Sequence, residues 1–383
     1  VSTGSGQPYF IEDNMPHSDL LLELVKRYSP STLESAAVNY LVQWMRERGF
    51  DARVDEAGNA FGIRGATNAP NTLMLLGHID TFPGEVPVRV EALAEAGRVT
   101  TEPLAGLSEG WALYGRGSVD AKGALCSFAE AAAQARIPEG WRVIVAGCVE
   151  EEIATGKGSN YVSDHYTPTF CIIGEPSSCN RITLGYKGRI LVEYTLRRAV
   201  AHTARPEPTV GALGAEFWQN ILNWTEIENA GVERIFDQVM ASLRGINTSS
   251  DYFNETLNMT VAFRLPPRIT PEDVLKVLRG FAQPGAELRG YGHERAYQSD
   301  RNNPLVRGMM AAIRAEGMQP GFVLKTGTSD MNTVGSKWSC PMIAYGPGDS
   351  NLDHTPHEHL PLEEYDRAIA VLKGFIERLS DSF

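Results

Sequence analysis

Carboxylates and imidazoles recur in this chain beside apolar runs, in short strings with the chemistry of metal ligands. Gly77-His78-Ile79-Asp80-Thr81 follows the run 73–76, and Gly115-Arg116-Gly117-Ser118-Val119-Asp120-Ala121-Lys122-Gly123 is a Gly-rich turn before an Ala-rich stretch. Glu150-Glu151-Glu152 follows 143–149, Gly174-Glu175-Pro176-Ser177 follows 170–173, and Asp353-His354-Thr355-Pro356 lies further along. Imidazole and ionised carboxylate are groups that Zn(II) accepts. Each string alone has a bland explanation: a hydrogen-bonded core histidine, a helix N-cap at Asp120, a solvated run of glutamates, a loop acid at Glu175, and a polar loop in which His357, Glu358 and His359 surround His354. Five together point to a two-metal hydrolase. A carboxylate such as Asp120 has two oxygens with which to bridge ions about 4 Å apart. Among successive glutamates, one can ligate while its neighbour faces the attacking water as a general base.

The elements that must position these groups can be read from periodicity. Apolar runs at 73–76, 143–149, 170–173 and 342–345 read as buried strands, and 124–135 as a helix between the first two, which implies an α/β layer around a largely buried sheet. His78, the glutamates and Glu175 then sit at strand ends, where open α/β sheets carry their ligand loops. Asp80 is suited to holding the second ring nitrogen of His78. A helical pair opens the fold, the second helix presenting Leu33, Ala37, Leu41, Trp44 and Met45 on one face and ending near Gly49. Alternating strands at 190–196 and 257–265, with helices at 212–224 and 271–281, read as a smaller sheet-and-helix unit. Tyr365, Ile369, Leu372, Ile376 and Leu379 form the apolar face of a closing helix.

Composition narrows the class. The chain has 383 residues, enough for two domains, and 43% apolar content supports a sizeable core. A formal charge of −12 argues against a nucleic-acid footprint. The five cysteines are odd in number, scattered and mostly within apolar stretches, which reads as reduced thiols of a cytoplasmic protein. No targeting segment or membrane span is expected, and 1–14 reads as a loose polar extension.

With these strings in hand, the chain resembles the co-catalytic zinc aminoacylase and exopeptidase family of acetylornithine deacetylase and succinyl-diaminopimelate desuccinylase, over about 20–379. It is most similar to the lysine-biosynthesis branch, the acetyl-lysine deacetylases or LysW-lysine hydrolases. The strings that carry this are Gly77-His78-Ile79-Asp80-Thr81, Leu184-Gly185-Tyr186-Lys187-Gly188-Arg189, Ala201-His202-Thr203-Ala204, Lys325-Thr326-Gly327-Thr328-Ser329-Asp330-Met331-Asn332 and Tyr345-Gly346-Pro347-Gly348-Asp349. The resemblance implies an α/β fold, a central mixed sheet flanked by helices, with a smaller α+β lid and dimerisation domain inserted. It places a catalytic domain over 15–187 and 290–383 and the insert over 188–289.

Residue by residue, it implies that His78, Asp120 and Glu175 hold one metal ion and Asp120, Glu152 and His354 the other, with Asp120 bridging. Glu151 becomes the general base, Asp80 orients His78, and His202 of the insert stabilises the oxyanion, often across a dimer interface. Arg264 grips the substrate α-carboxylate, with Gly327, Thr328 and Ser329 supplying further donors. Relatives carry an asparagine shortly before the strand of that arginine, where this chain reads Ser250-Asp251-Tyr252-Phe253. The implied cofactors are two divalent ions per chain, zinc first, with cobalt or manganese as alternatives. The implied substrate is lysine or ornithine acylated on its α-amino group, by acetyl or by the terminal glutamate of a small acidic carrier protein, LysW, and the implied assembly is a homodimer through the lid. Alternatives are a deacylase of the acetylornithine or succinyl-diaminopimelate type, a dipeptidase on the same ligand plan, and a non-catalytic binding protein that kept the fold.

Overall fold

Four apolar runs organise the larger layer. In the computed structural model, which describes residues 19–93, 99–100, 110–200 and 206–382, strands Asn71–His78, Trp141–Cys148, Phe170–Gly174 and Met342–Tyr345 lie parallel at the centre of a nine-stranded sheet. The extension expected over 1–14 and His202 lie outside the described residues. Side chains alternate across a strand, so Leu73, Leu75, Val143, Val145 and Ile172 enter one core, and Met74, Leu76, Ile144, Ala146 and Ile173 the other. Both faces are covered, which is why these segments read as unbroken apolar runs. Helices Leu20–Lys26, Ser35–Glu47, Lys122–Gln134, Pro304–Ala315 and Leu362–Glu377 cover the first face. Lys157–His165 and Asp330–Gly335 cover the second. Antiparallel pairing of Ala60–Gly65 with Trp141–Cys148, and of Arg181–Tyr186 with Met342–Tyr345, makes the sheet mixed.

The second opening helix starts at Ser35, so Leu33, expected on its apolar face, precedes it and is 67% exposed. The alternative reading of Asp120 as an N-cap is not what the fold shows. Ala121 holds the cap position of Lys122–Gln134 without a side-chain cap, and Asp120 turns to the two imidazoles described below.

A second sheet stands apart with its own core. Strands Gly188–Ala199, Met240–Ser250, Asn254–Leu265 and Glu287–Glu294 pair antiparallel, with Met240–Ser250 at one edge. Helices Val210–Asn229 and Pro271–Phe281 bury Phe217, Ile221, Val274 and Leu278 against Ile190, Val192, Tyr194, Val261 and Phe263. Pro271–Phe281 begins with a proline and a reciprocal cap between Thr270 and Asp273, and such a cap contributes about 0.5–2 kcal/mol. The last strand of this sheet runs on to Glu294. A small third sheet joins His359–Pro361, Trp111–Tyr114, Arg89–Ala92 and Val99–Thr100. No helix among the described residues is long and apolar enough to cross a membrane.

Candidate active site

The carboxyl ends of the parallel strands deliver the polar groups to one place. His78 is the last residue of its strand, Glu151 and Glu152 follow the end at Cys148, Glu175 follows Gly174, and the loop after Tyr345 reaches His354. Gly77 and Gly174 are register partners here, and a Cβ at Gly174 would come within 3.0 Å of Phe128 and 3.1 Å of the Gly77 Cα. Their bareness lets the helix after Asp120 settle close to the strand ends.

Asp120 lies between the two imidazoles. Its Oδ1 is 3.1 Å from His78 Nε2 and its Oδ2 is 3.1 Å from His354 Nε2. His354 Nε2 is also 3.1 Å from the Glu152 carboxylate, and donor atoms of His78, Asp120 and Glu152 all fall within 4.8 Å of one another. Glu151 and Glu175 line the same cavity. Ligand atoms about 2.0–2.2 Å from a shared ion stand roughly 3.3 Å apart in tetrahedral geometry, so these spacings suit groups that share cations. The ring of Phe82 stacks 4.1 Å from that of His354 and fixes its plane.

A layer of buried bonds fixes these loops. The other ring nitrogen of His78, Nδ1, is 3.0 Å from the Asp80 carbonyl and 3.5 Å from its carboxylate, which leaves Nε2 facing Asp120. The Asp80 carboxylate accepts the backbone N–H groups of Glu151 and Glu152 at 3.1 Å each, and the Ser31 hydroxyl at 2.7 Å. One aspartate thus ties the histidine strand to the double-acid loop. Fully buried Glu358 accepts the N–H groups of Val119 and Asp120 and pairs with Arg116 at 2.8 Å. The loop for which a solvent-facing role was the bland alternative therefore sends Glu358 inward to hold Asp120. Lys122 donates to the carbonyls of Leu24 and Arg27, and burial lowers its ammonium to about 7.

The floor is crowded with negative charge. Burial and the charge of Asp120 push Glu175 up to about 8 and Asp353 up to about 9. Burial raises Glu151 well above the ordinary carboxyl range, with His78 opposing and Asp330, Glu175 and Glu152 reinforcing. Burial works against a charged His78, yet its bonds to Asp120 and Asp80 carry it well above the usual imidazole value. Bonds to Asp120 and Glu152 raise His354 to about 10. One oxygen each of Asp330 and Asp353 is buried without a hydrogen-bond partner. Buried acids that crowd one another and hold unpartnered oxygens are a donor set short of positive charge, and two divalent cations fit it.

The cavity encloses about 1010 Å³, and the strands of the second sheet bring Arg189, Arg244 and Arg264 to its lining. Arg264 donates to the Thr328 hydroxyl at 3.1 Å, with Gly327 and Ser329 alongside. The Ser329 hydroxyl caps Asp330–Gly335, accepting the N–H of Met331 at 3.2 Å, while Asn332 Oδ1 accepts the Ser329 N–H at 2.9 Å. Sequence reading gave no role to Asp353, Asp330, Glu358 or Arg189, although each falls in or beside a quoted string, and did not reach Arg244; all five line or brace this site. Asp353 and Glu358 flank a named histidine, which was the available signal. Nothing in one-dimensional spacing marked Arg244.

Fold and site define a hydrolase built around metal ligands at the ends of a mixed sheet. The sequence pattern of peptidase family M20/M25/M40 matches residues 74–378, and the chain belongs to that family. It is accordingly a metal-dependent hydrolase of amide bonds. A curated LysW-lysine hydrolase of Deinococcus radiodurans is 42% identical over 368 residues, covering 94% of this chain and 96% of that one. A protein of Thermococcus kodakarensis with the provisional name LysW-lysine/LysW-ornithine hydrolase is 36% identical, covering 94% and 91%. Among solved structures, a Bacillus cereus aminopeptidase PepT superposes with a TM-score of 0.73 at 16% identity, covering 94% of this chain and 97% of that one. This likeness reports the fold.

Proposed function

We propose that the chain hydrolyses the amide between the α-amino group of lysine or ornithine and an acyl group contributed by the terminal glutamate of a small acidic carrier protein. The observation that carries this reading is a cavity lined both by clustered carboxylates and imidazoles able to hold cations and by guanidiniums, a lining complementary to a scissile amide flanked by carboxylates. Similarity to the Deinococcus radiodurans LysW-lysine hydrolase supports the choice of acyl group.

In this reading His78, Asp120 and Glu175 hold one ion and Asp120, Glu152 and His354 the other. Zinc is the first choice of metal. The pair supplies Lewis acidity toward the carbonyl and lowers the pKa of the attacking water toward about 7. Glu151 takes a proton from that water as its oxygen bonds to the carbonyl carbon, then delivers it to the nitrogen as the C–N bond breaks, releasing a carboxylate and an amine. Burial raises its proton affinity, which suits a group that must both accept and return a proton. Asp80 keeps His78 oriented, and Arg264 with Gly327, Thr328 and Ser329 receives the α-carboxylate of the released amino acid; a guanidinium fork suits that group. His202 is assigned the oxyanion. A homodimer through the insert is supported by its edge strand, where Met240 and Ile246 are exposed, and by the adjoining turn, where Tyr252 is 95% and Phe253 80% exposed.

Turnover of carrier-linked lysine, acetyl-lysine and acetyl-ornithine tests the reading, alongside metal content. Preference for the carrier-linked substrate with about two metal ions per chain is expected. Equal indifference to all three substrates would sink it.

A further inference from the structure

The cations lining the cavity are not equally employed. Arg189 pairs with Glu294, Arg295 with Glu272 at 3.2 Å and His293 with the same acid at 3.9 Å. Lys325 donates to the Pro176 carbonyl and Arg264 to Thr328. Arg244 lines the cavity too, and its side chain makes no hydrogen bond or ion pair among the described residues.

Its placement is built rather than incidental. Met240–Ser250 pairs with Asn254–Leu265 in register until the step from Leu243 to Gly245, where Arg244 is left opposite no residue. An extra residue of this kind bends a strand and re-aims a side chain, and such bulges gather next to binding sites. Across the same sheet Arg189 and Arg264 are direct cross-strand partners, although like charges directly opposite destabilise a pair. Burial and the charge of Arg189 lower Arg264 below the usual arginine range, with Glu294 opposing and Arg244 adding to the repulsion. The Arg189 Nε is buried without an acceptor. Of these three guanidiniums only Arg189 has a carboxylate partner, Glu294, and the other acid of this lining, Glu272, pairs with Arg295 and His293, so the lining carries more positive charge than the single α-carboxylate assigned to Arg264 requires.

Substrate chemistry supplies a second anion. Glutamate has two carboxyl groups, and joining one to an amine leaves the other ionised, whereas an acetyl group has none. We propose that Arg244 is a specificity residue that binds the carboxylate retained by a glutamyl acyl group, and so selects glutamyl-linked over acetyl-linked amino acids. This rests on the acyl assignment above.

The test uses the metal-loaded full chain and two probes. One is lysine acylated on its α-amino group by an N-capped glutamyl residue; the other is identical except that the retained carboxylate is a primary amide. The wild type is expected to favour the carboxylate probe by about tenfold to a hundredfold in kcat/KM, expressed mainly in KM, as a charge-assisted hydrogen bond would give. Arg244→Ala should collapse that ratio toward unity, and Arg244→Lys should restore part of it. Arg244 is exposed on an edge strand, and matching circular dichroism and melting curves confirm that the variants are folded. If Arg244→Ala keeps the wild-type ratio, or the wild type cleaves both probes equally, the specificity role is overturned while the amide-hydrolase reading stands. If the wild type cleaves acetyl-lysine but neither glutamyl probe, the acyl assignment itself falls and Arg244 loses its ligand.

Discussion

The floor and the wall of the cavity are opposites in charge and in construction. The floor draws Asp120, Glu151, Glu152, Glu175 and His354 from loops far apart in the chain, and buried braces through Asp80 and Glu358 lock them together. The wall's guanidiniums come mainly from one antiparallel sheet, where Arg189, Arg244 and Arg264 stand on neighbouring strands with few partners. A place for cations is thus over-determined, and a place for carboxylates is left adjustable. Changing the floor should abolish chemistry; changing the wall should alter which substrate is accepted.

That contrast can be broken experimentally, most forcefully at the floor. Dialysis against a chelator should remove measurable turnover and readdition of a divalent metal should restore it; persistent activity without metal would contradict the reading of the acidic cluster. Glu151→Gln should lower kcat by about a hundredfold to ten-thousandfold with metal content unchanged by elemental analysis, the range for a missing general base. Loss of metal with the activity would instead make Glu151 a ligand and shift the double-acid assignment by one residue. Glu358→Ala strands a buried Arg116 and two backbone N–H groups, and unfolding in denaturant should register about 3–5 kcal/mol of lost stability. A loss below about 1 kcal/mol would show that the brace is dispensable.

At the wall the effects are smaller. Arg264→Ala should cut kcat/KM by about tenfold to a hundredfold, chiefly through KM, with metal content intact. A fall in kcat alone would tie this arginine to the chemistry rather than to the carboxylate. The last prediction compares pH profiles. Glu175 and Asp353 sit at about 8 and 9 in the metal-free fold against ordinary values of 4.5 and 3.8, so the folded state binds more protons than the unfolded between these limits. Stability present at low pH is then lost as pH rises through the folded values. The metal-free protein should melt at progressively lower temperature from about pH 5 to pH 9, and bound metal should flatten the slope. A flat metal-free profile would mean that the floor is not crowded with charge.

Much of the larger layer was legible because burial on both faces forces unbroken apolar runs, and the runs before His78, Glu150 and Glu175 announce strands with candidate ligands at their ends. Leu33 misled because a residue just before a helix can match its period without sharing its backbone. Asp120 was ambiguous for a physical reason: a short acid before a helix suits a cap and a metal alike, and only the positions of His78 and His354 separate the two. Glu358 looked like solvent-facing polarity because one-dimensional spacing carries no information about a buried Arg116 from another loop.

Taken by itself, the sequence determined the candidate metal-ligating groups, the α/β layer and the resemblance to a family of amide hydrolases, since these depend on residue type, local periodicity and short strings. Tertiary structure alone decided that Asp120 contacts both imidazoles through separate oxygens, that Asp80 and Glu358 brace the floor, and that a bulge directs an unpartnered Arg244 to the cavity. Those facts depend on register and on contacts between loops distant in sequence, where a displacement of one residue turns a side chain to the opposite face.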